Sequence, residues 1–401
     1  MTPTRAPRRR LAGAVLGGVA LVVLGAAAVA VALVALGALV PGLGAVSGHA
    51  TVIVQGYGPT LVVVGLVVVL LALATRLRLR RAGTGVAVLG VVGTVALGVV
   101  VGQVVGAAGQ AGGSVDLLRA VDPHGAVSMP DGYPRYGTGP DGAPLHAALY
   151  RPGRAPGPVP VLVYVHGGGW VGGSELDNSA DMRWFAEQGR LVISVGYTLA
   201  TPGRPTWDVA GAQVACALTQ VAGLAPGLGG DPGRIVLAGD SAGGQLAVSV
   251  AYRAASGTQR SACGGRVPVP RGVLVQYPAV DPVGAWEQGN YPGQPGGAAR
   301  GFQETYTGGT PDQVPDRYTA IAGVPAITPA APPTLVLGPT EDELVPPKGV
   351  ADFVDAARGA GVDATLVRIP YANHAYDIGV SSLGNQVRRT VSRHWLETHG
   401  W

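Results

Sequence analysis

Acidic residues are missing from the first quarter of this chain: no Asp or Glu occurs before Asp116, while eight arginines do. That stretch carries +8, and the 20 basic and 24 acidic residues that follow carry −4. The net +4 therefore belongs to the N-terminal part, and a nucleic-acid-binding reading, which needs a basic face on the folded domain, loses its support. Charged residues make up only 13 % of the chain, and mean hydropathy is +0.32, which points to membrane segments. Cysteine is nearly absent. Cys216 and Cys263 are too few for a disulfide framework or a zinc site. They form one bridge if the domain faces an oxidising compartment, or else are two small buried hydrophobes. Spacing alone does not place their Cα atoms within about 7 Å.

Three uncharged apolar runs occupy residues 11–40, 52–75 and 85–108, each long enough for the roughly 20 residues a spanning helix needs. The first exceeds the roughly 7–15 residues of a signal-peptide core. The second is interrupted near Gly56-Tyr57-Gly58-Pro59, and the third carries Gly98, Gly102 and Gly106 as a small-residue stripe for close helix approach. Arginines precede the first run and separate the second from the third, at Arg76, Arg78, Arg80 and Arg81. The positive-inside rule then puts the N-terminus in the cytoplasm and, after three crossings, the C-terminal domain outside a multi-pass cell membrane. The expected organisation is a membrane region over 1–108, a Gly/Pro-bearing linker over 109–132, and a catalytic domain over 133–401.

From residue 133 onward short apolar strands alternate with helical segments, which predicts an α/β domain with a mostly parallel sheet. Strands are expected near 145–150, 159–165, 191–197, 234–238, 273–277, 334–337 and 365–369. Helices are expected near 181–188, 205–224, 242–255, 350–360 and 386–398. The Gly/Pro-rich segment 281–333 is long for a connection and is expected in part to overhang the sheet as a cap.

The chemistry sits at the ends of those strands. RIVLAGDSAGGQL holds Gly-x-Ser-x-Gly where a strand passes into a helix, the pattern of a nucleophile elbow. Gly239 and Gly243 flank Ser241 because a Cβ at either position would collide across so tight a turn. The turn lifts the Ser241 hydroxyl beside the unpaired N–H of Ala242. Serine is a weak nucleophile and needs a base, and the base needs an orienting acid. In this architecture the chain order is Ser, acid, His. Of the three histidines after Ser241, His394 and His399 fall in the closing helix or tail, whereas His374 sits in the loop YANHAYD after the last strand. The acid comes from Glu341, Asp342 and Glu343, which follow a strand; Asp342 is the first choice and Glu341 the second, against the plainer reading of a solvated turn before a helix. His166-Gly167-Gly168-Gly169-Trp170 also follows a strand. Its glycines free the Gly168 and Gly169 N–H groups to join Ala242 as an oxyanion hole, with His166 holding the loop in shape. Gly-x-Ser-x-Gly alone is weak in a chain with 65 glycines; the glycine loop, acid and histidine in the required order make it specific.

These residues resemble the α/β-hydrolase fold, in particular the hormone-sensitive-lipase-like esterase/lipase group with its acetylesterase and feruloyl-esterase-like relatives. The resemblance covers about 133–401 and rests on VYVHGGGWVGGS, SVGYTLATPGRP, DPGRIVLAGDSAGGQLA, YTGGTPDQVPDRY and EDELVPP. It implies Ser241 as nucleophile, Asp342 as acid, His374 as base, and Asp240 as support behind the serine. Two features depart from the family: the acid strand ends Gly338-Pro339 where His-Gly is usual, and the membrane segments are extra. The implied reaction is hydrolysis of a small-molecule or lipid ester through an acyl-enzyme, a mechanism that calls for no metal or cofactor. Trp170 and Tyr197 are candidates for lining an acyl or alcohol pocket, with core aromatics as the plainer alternative. A peptidase or amidase, an acyltransferase, and a non-catalytic binding module on a hydrolase scaffold are the competing functions.

Overall fold

The computed structural model describes residues 6–76, 79–122, 125, 127–290 and 297–401. Arg5 and Arg78 of the charge reading lie outside the described residues, as do 123, 124 and 126 of the expected linker and 291–296 of the expected cap.

Three long helices come first: α1 (Ala6–Leu39), α2 (Ala45–Thr75) and α3 (Arg80–Gln110). All are long and apolar enough to cross a membrane. The second does not break at Pro59, which lies inside α2 between a ladder of valines and the small Gly56 and Gly58. With glycines on the preceding turn, the ring fits and the helix continues. The helices approach closely at Gly37, Gly65 and Gly93, where an added Cβ would strike Ala50, Thr94 and Ala32. Gly98, Gly102 and Gly106 do not serve this purpose: each faces open space. The buried face of α3 runs through Leu97, Val100, Val101, Val104 and Ala108, so the expected glycine stripe falls on its other side.

α2 and α3 each have 31 residues, about 46 Å at 1.5 Å per residue, against about 30 Å of bilayer hydrocarbon. The surplus is used at one end. Large apolar side chains are exposed in α2 chiefly from Val63 to Leu73, besides Val46 and Tyr57, and in α3 from Val88 to Val99. Past Val99 the C-terminal domain packs against one face of α3: Val101, Val104 and Ala108 join the same apolar cluster as Leu337, Leu383 and Trp395. Part of the expected linker is held against the C-terminal domain. Asp116 caps the single turn α4 (Leu117–Ala120), and Ser114 and Asp116 exchange hydrogen bonds with Thr390 and Gln386.

The C-terminal domain is an eight-stranded sheet in the order β1-β2-β4-β3-β5-β6-β7-β8. The strands are β1 (Arg135–Thr138), β2 (Pro144–Tyr150), β3 (Val159–Val165), β4 (Leu191–Val195), β5 (Gly230–Asp240), β6 (Gly272–Gln276), β7 (Thr334–Pro339) and β8 (Ala364–Ile369). β1–β2 and β2–β4 pair antiparallel and the other pairs are parallel. Runs such as VPVLVYV and LVISV are almost continuously buried, and nearly all apolar, because helices cover both faces of the sheet. Those helices are α5 (Ser179–Glu187), α6 (Ala210–Leu224), α7 (Ser241–Ala255), α11 (Pro347–Gly359) and α12 (Leu383–Thr398). β1 was not anticipated: its partly exposed RYGT lacks a strand's apolar alternation, and pairing with β2 defines it. Between β6 and β7 come α8 (Pro282–Gln288), α9 (Ala298–Thr307) and α10 (Pro315–Ile321), which form the cap.

Cys216 on α6 and Cys263, in the loop after α7, form a disulfide with Cα atoms 5.2 Å apart, which resolves the two readings of these residues. The bridge closes a sequence separation of 47. Constraint of the unfolded chain by such a loop contributes roughly 2–4 kcal/mol. Replacing both cysteines with serine is expected to lower unfolding stability by that amount, measured as a denaturant midpoint against the oxidised protein. A midpoint shared by the variant and the oxidised chain would show that the bridge contributes nothing.

Candidate functional site

The site is assembled where β3, β5 and β7 end. β5 finishes at Asp240, and Ser241 opens α7 with φ +51°, a left-handed conformation that an L-residue adopts only under constraint. The constraint is steric. A Cβ on Gly239 would lie 2.6 Å from the Gly243 carbonyl, and one on Gly243 would strike the Val165 and His166 carbonyls. The chain therefore turns within a space that only glycine leaves open, with the end of β3 pressed against it.

Two further loops meet the serine. His374, after β8, brings Nε2 to 2.9 Å from Ser241 Oγ. Its Nδ1 lies 2.9 Å from Asp342 Oδ2 and 3.1 Å from Oδ1. All three side chains are at most 8 % exposed, so these polar groups have one another and little water. Asp342 is fixed in turn: Oδ1 accepts from the N–H groups of Leu344 (3.0 Å) and Val345 (2.8 Å). The alternative groups are elsewhere. Glu341 is half-buried, with burial raising its pKa, and it lines a cleft of about 210 Å³ against the α1–α2 turn. His394 lies against Gly112, and His399 stacks with Trp395 and Trp401. The unusual Gly338-Pro339 ends β7 in register with Arg368 and Ile369, and the acid loop still reaches the histidine.

The glycine loop lies beside the elbow. Gly168 and Gly169 have φ of +105° and +60°. A Cβ on Gly169 would lie 2.7 Å from the ring of Phe302 on α9, which closes the cap over the loop. Among the described residues the N–H groups of Gly168, Gly169 and Ala242 have no hydrogen-bond partner. Ala242 is in the first turn of α7, where helical N–H groups are free by geometry. His166 holds the loop: its Nδ1 is 2.7 Å from the Gly167 carbonyl and its ring stacks on Tyr197 at 4.4 Å. Burial lowers the His166 pKa, so the ring is kept neutral.

Trp170 and Tyr197 are packed in the core beside the glycine loop. Both are at most 5 % exposed. Trp170 stacks on Tyr306 of the cap at 4.5 Å and donates to Gln245 on α7 (3.1 Å), and the Tyr197 hydroxyl donates to the His166 carbonyl (3.1 Å). They act as struts, since each apolar ring also needs a partner for its polar tip.

Behind the serine runs a buried network that the motifs did not reveal. Asp240 Oδ1 accepts from the Tyr164 hydroxyl (2.5 Å) and from Gly167 N–H (3.0 Å), joining elbow to glycine loop. Arg388 on α12 donates to the Tyr164 hydroxyl (2.9 Å), Asp377 (2.6 Å) and Asp181 (2.9 Å). Asp377 accepts from the Tyr277 hydroxyl (2.6 Å), and the Tyr277 ring lies 4.6 Å from that of His374. Burial raises the Asp240 pKa, with Arg388 opposing it. Burial also opposes ionisation of Asp181, but Arg388 and Arg389 outweigh it and lower the pKa. Asn373 was missed as well; its Oδ1 accepts from the N–H groups of Glu343 (3.0 Å) and His374 (2.7 Å), stitching acid loop to base loop. Its position next to His374 was the one available signal. Among the described residues no group of three or more His, Cys, Asp or Glu is placed to hold a metal ion.

Comparison with known proteins places this geometry. Esterase LipC of Mycobacterium tuberculosis is 27 % identical over 226 residues, covering 55 % of this chain and 54 % of LipC. Ethyl acetate hydrolase of Pseudomonas putida is 35 % identical over 147 residues, 35 % of this chain and 42 % of that protein. The chain thus spans about half the length, or less, of these curated relatives. Among solved structures, esterase LipW of Mycobacterium marinum superposes with a TM-score of 0.55 at 29 % identity, covering 67 % of this chain and 82 % of LipW. The family described as alpha/beta hydrolase fold matches residues 162–378, from within β3 through the His374 loop. With more than half of its length in that match, and with the sheet order and elbow that go with it, this chain belongs to the α/β-hydrolase fold family.

Proposed function

We propose that this protein is a membrane-anchored serine hydrolase that cleaves carboxylic esters. The observation that carries the reading is the buried line from Ser241 Oγ through His374 to Asp342, each step 2.9 Å. In this mechanism His374 Nε2 takes the Ser241 proton as Oγ attacks the ester carbonyl. The oxyanion forms beside the N–H groups of Gly168, Gly169 and Ala242, which have no acceptor among the described residues to give up. His374 returns the proton to the departing alkoxide, leaving an acyl group on Ser241. Water, deprotonated by the same imidazole, then releases the carboxylic acid and regenerates the serine. Asp342 orients the ring and stabilises its protonated form. The names of the relatives, esterase LipC, ethyl acetate hydrolase and esterase LipW, favour an ester over an amide as substrate.

The catalytic domain is assigned to the outer side of a cell membrane, with the N-terminus in the cytoplasm. Arginine distribution supports this placement, and the Cys216–Cys263 bridge agrees with an oxidising compartment. Residues 1–108 form the membrane part and 133–401 the catalytic part of this proposal.

A membrane-impermeant fluorophosphonate applied to intact cells is expected to label the protein, and Ser241→Ala to abolish the label. Labelling only after lysis would overturn the sidedness, and labelling of the alanine variant would overturn the nucleophile. Gly169→Ala is expected to lower kcat by about 10²–10³-fold, the cost of a lost oxyanion donor. Its Cβ would meet the Phe302 ring, and its φ of +60° is strained for alanine. Unchanged turnover of a short p-nitrophenyl ester would remove Gly169 from the oxyanion hole.

A further inference from the structure

Two amides stand out in helices made almost entirely of small and apolar residues: Gln55 on α2 and Gln103 on α3. A buried amide in such a helix is costly unless it is hydrogen-bonded, which applies to Gln55, whereas Gln103 is exposed on α3. Both reach the same place. Gln55, wholly buried, donates from Nε2 to the carbonyls of Pro370 (3.0 Å) and Tyr371 (3.2 Å). Gln103 Oε1 accepts from the Tyr371 hydroxyl. Those residues open the loop that carries His374.

That loop needs outside support. Tyr371 and Ala375 flank His374 with φ of +53° and +55°, conformations that cost a non-glycine residue about 1–3 kcal/mol each. The loop is laced to the acid loop, since Tyr371 N–H donates to Thr340 Oγ1 (3.2 Å) and Glu341 N–H to the Ala372 carbonyl (2.9 Å). The Tyr371 ring packs against both the apolar cluster of the three helices and the one beneath the sheet. Acid and base loops therefore form one unit, and the outer halves of α2 and α3 are where it is moored.

We propose that the helix bundle is a working part of the active site: Gln55 and Gln103 are positioning residues that, through Tyr371, hold His374 in line with Ser241 and Asp342. The bundle acts on the imidazole through backbone and makes no contact with the reacting atoms. The proposal rests on the hydrolase reading. It predicts that turnover depends on the docking of the helices, beyond any need for an anchor.

The test uses the full chain in lipid nanodiscs, with a short p-nitrophenyl ester and active sites counted by end-point fluorophosphonate titration. Gln55→Leu and Gln103→Leu are both compatible with an apolar helix. Each is expected to lower kcat per titrated site by about tenfold or more, as a small misplacement of a catalytic group does, with KM within about twofold of the native value. Gln103→Glu, which keeps an acceptor for the Tyr371 hydroxyl, is expected to restore most of the loss. Tyr371→Phe should match Gln103→Leu, and the double variant should be no worse than either. Unchanged kcat per site in both leucine variants, or a loss that only follows the number of titratable sites, would overturn the proposal. Ser241→Ala run alongside separates the two readings. Turnover surviving in it overturns the hydrolase reading, whereas a dead Ser241→Ala beside fully active leucine variants overturns the positioning role alone.

Discussion

The turn at Ser241 is the constraint around which the rest is organised. A left-handed residue between a strand and a helix is unstable alone, and it survives because the elements around it leave no alternative. Gly239 and Gly243 make room for the carbonyls of β3, and β3 in turn presents the glycine loop directly beside the elbow. One local strain thus fixes three things: the outward hydroxyl, the free N–H at the start of α7, and the approach of Gly168 and Gly169. A side chain larger than hydrogen at either flanking position would undo all three.

What keeps that turn in place from behind is electrostatic. Arg388 is almost wholly buried and binds Asp181, Asp377 and the Tyr164 hydroxyl together, and its charge is retained because those partners outweigh its desolvation. Removing one member of such a buried set leaves an uncompensated charge, at a typical cost of 3–5 kcal/mol. The same network reaches Gly167 through Asp240 and the face of His374 through Tyr277. A single α12 residue therefore supports the floor of the glycine loop and the face of His374.

Much of this was readable from the chain. Gly-Asp-Ser-Ala-Gly, His-Gly-Gly-Gly and YANHAYD each sit at the end of an apolar strand, and local chemistry at those ends is written in adjacent residues. Asp342 was separable from Glu341 only by position, since both are carboxylates in one turn; the structure brings Asp342 to His374 Nδ1 and leaves Glu341 half-buried beside it. Arg388, Asp181 and Asp377 were not legible, because each looks like an ordinary surface charge until three distant segments converge. For Trp170 and Tyr197 the sequence left a pocket lining and a core role both open, and the structure buries both rings as struts beside the strained glycine loop. The glycine stripe of α3 failed because spacing gives a helix face without saying which way it points. Pro59 failed as a breaker because the surrounding glycines accommodate it.

The apolar helices and the sheet domain share a packed boundary, in which Tyr371 packs against both cores and Ser114 and Asp116 are held by α12. The account still turns on whether the hydroxyl at the strained bend carries the acyl group during turnover. Acid-quenching the full-length protein during steady-state hydrolysis of a p-nitrophenyl ester, followed by peptide mass spectrometry, measures this directly. The account predicts one acyl group per chain at most, located on Ser241 and absent when the ester is withheld. Sustained hydrolysis with the acyl group on another residue, or with Ser241 left unmodified while a control serine esterase is trapped under the same quench, would contradict it.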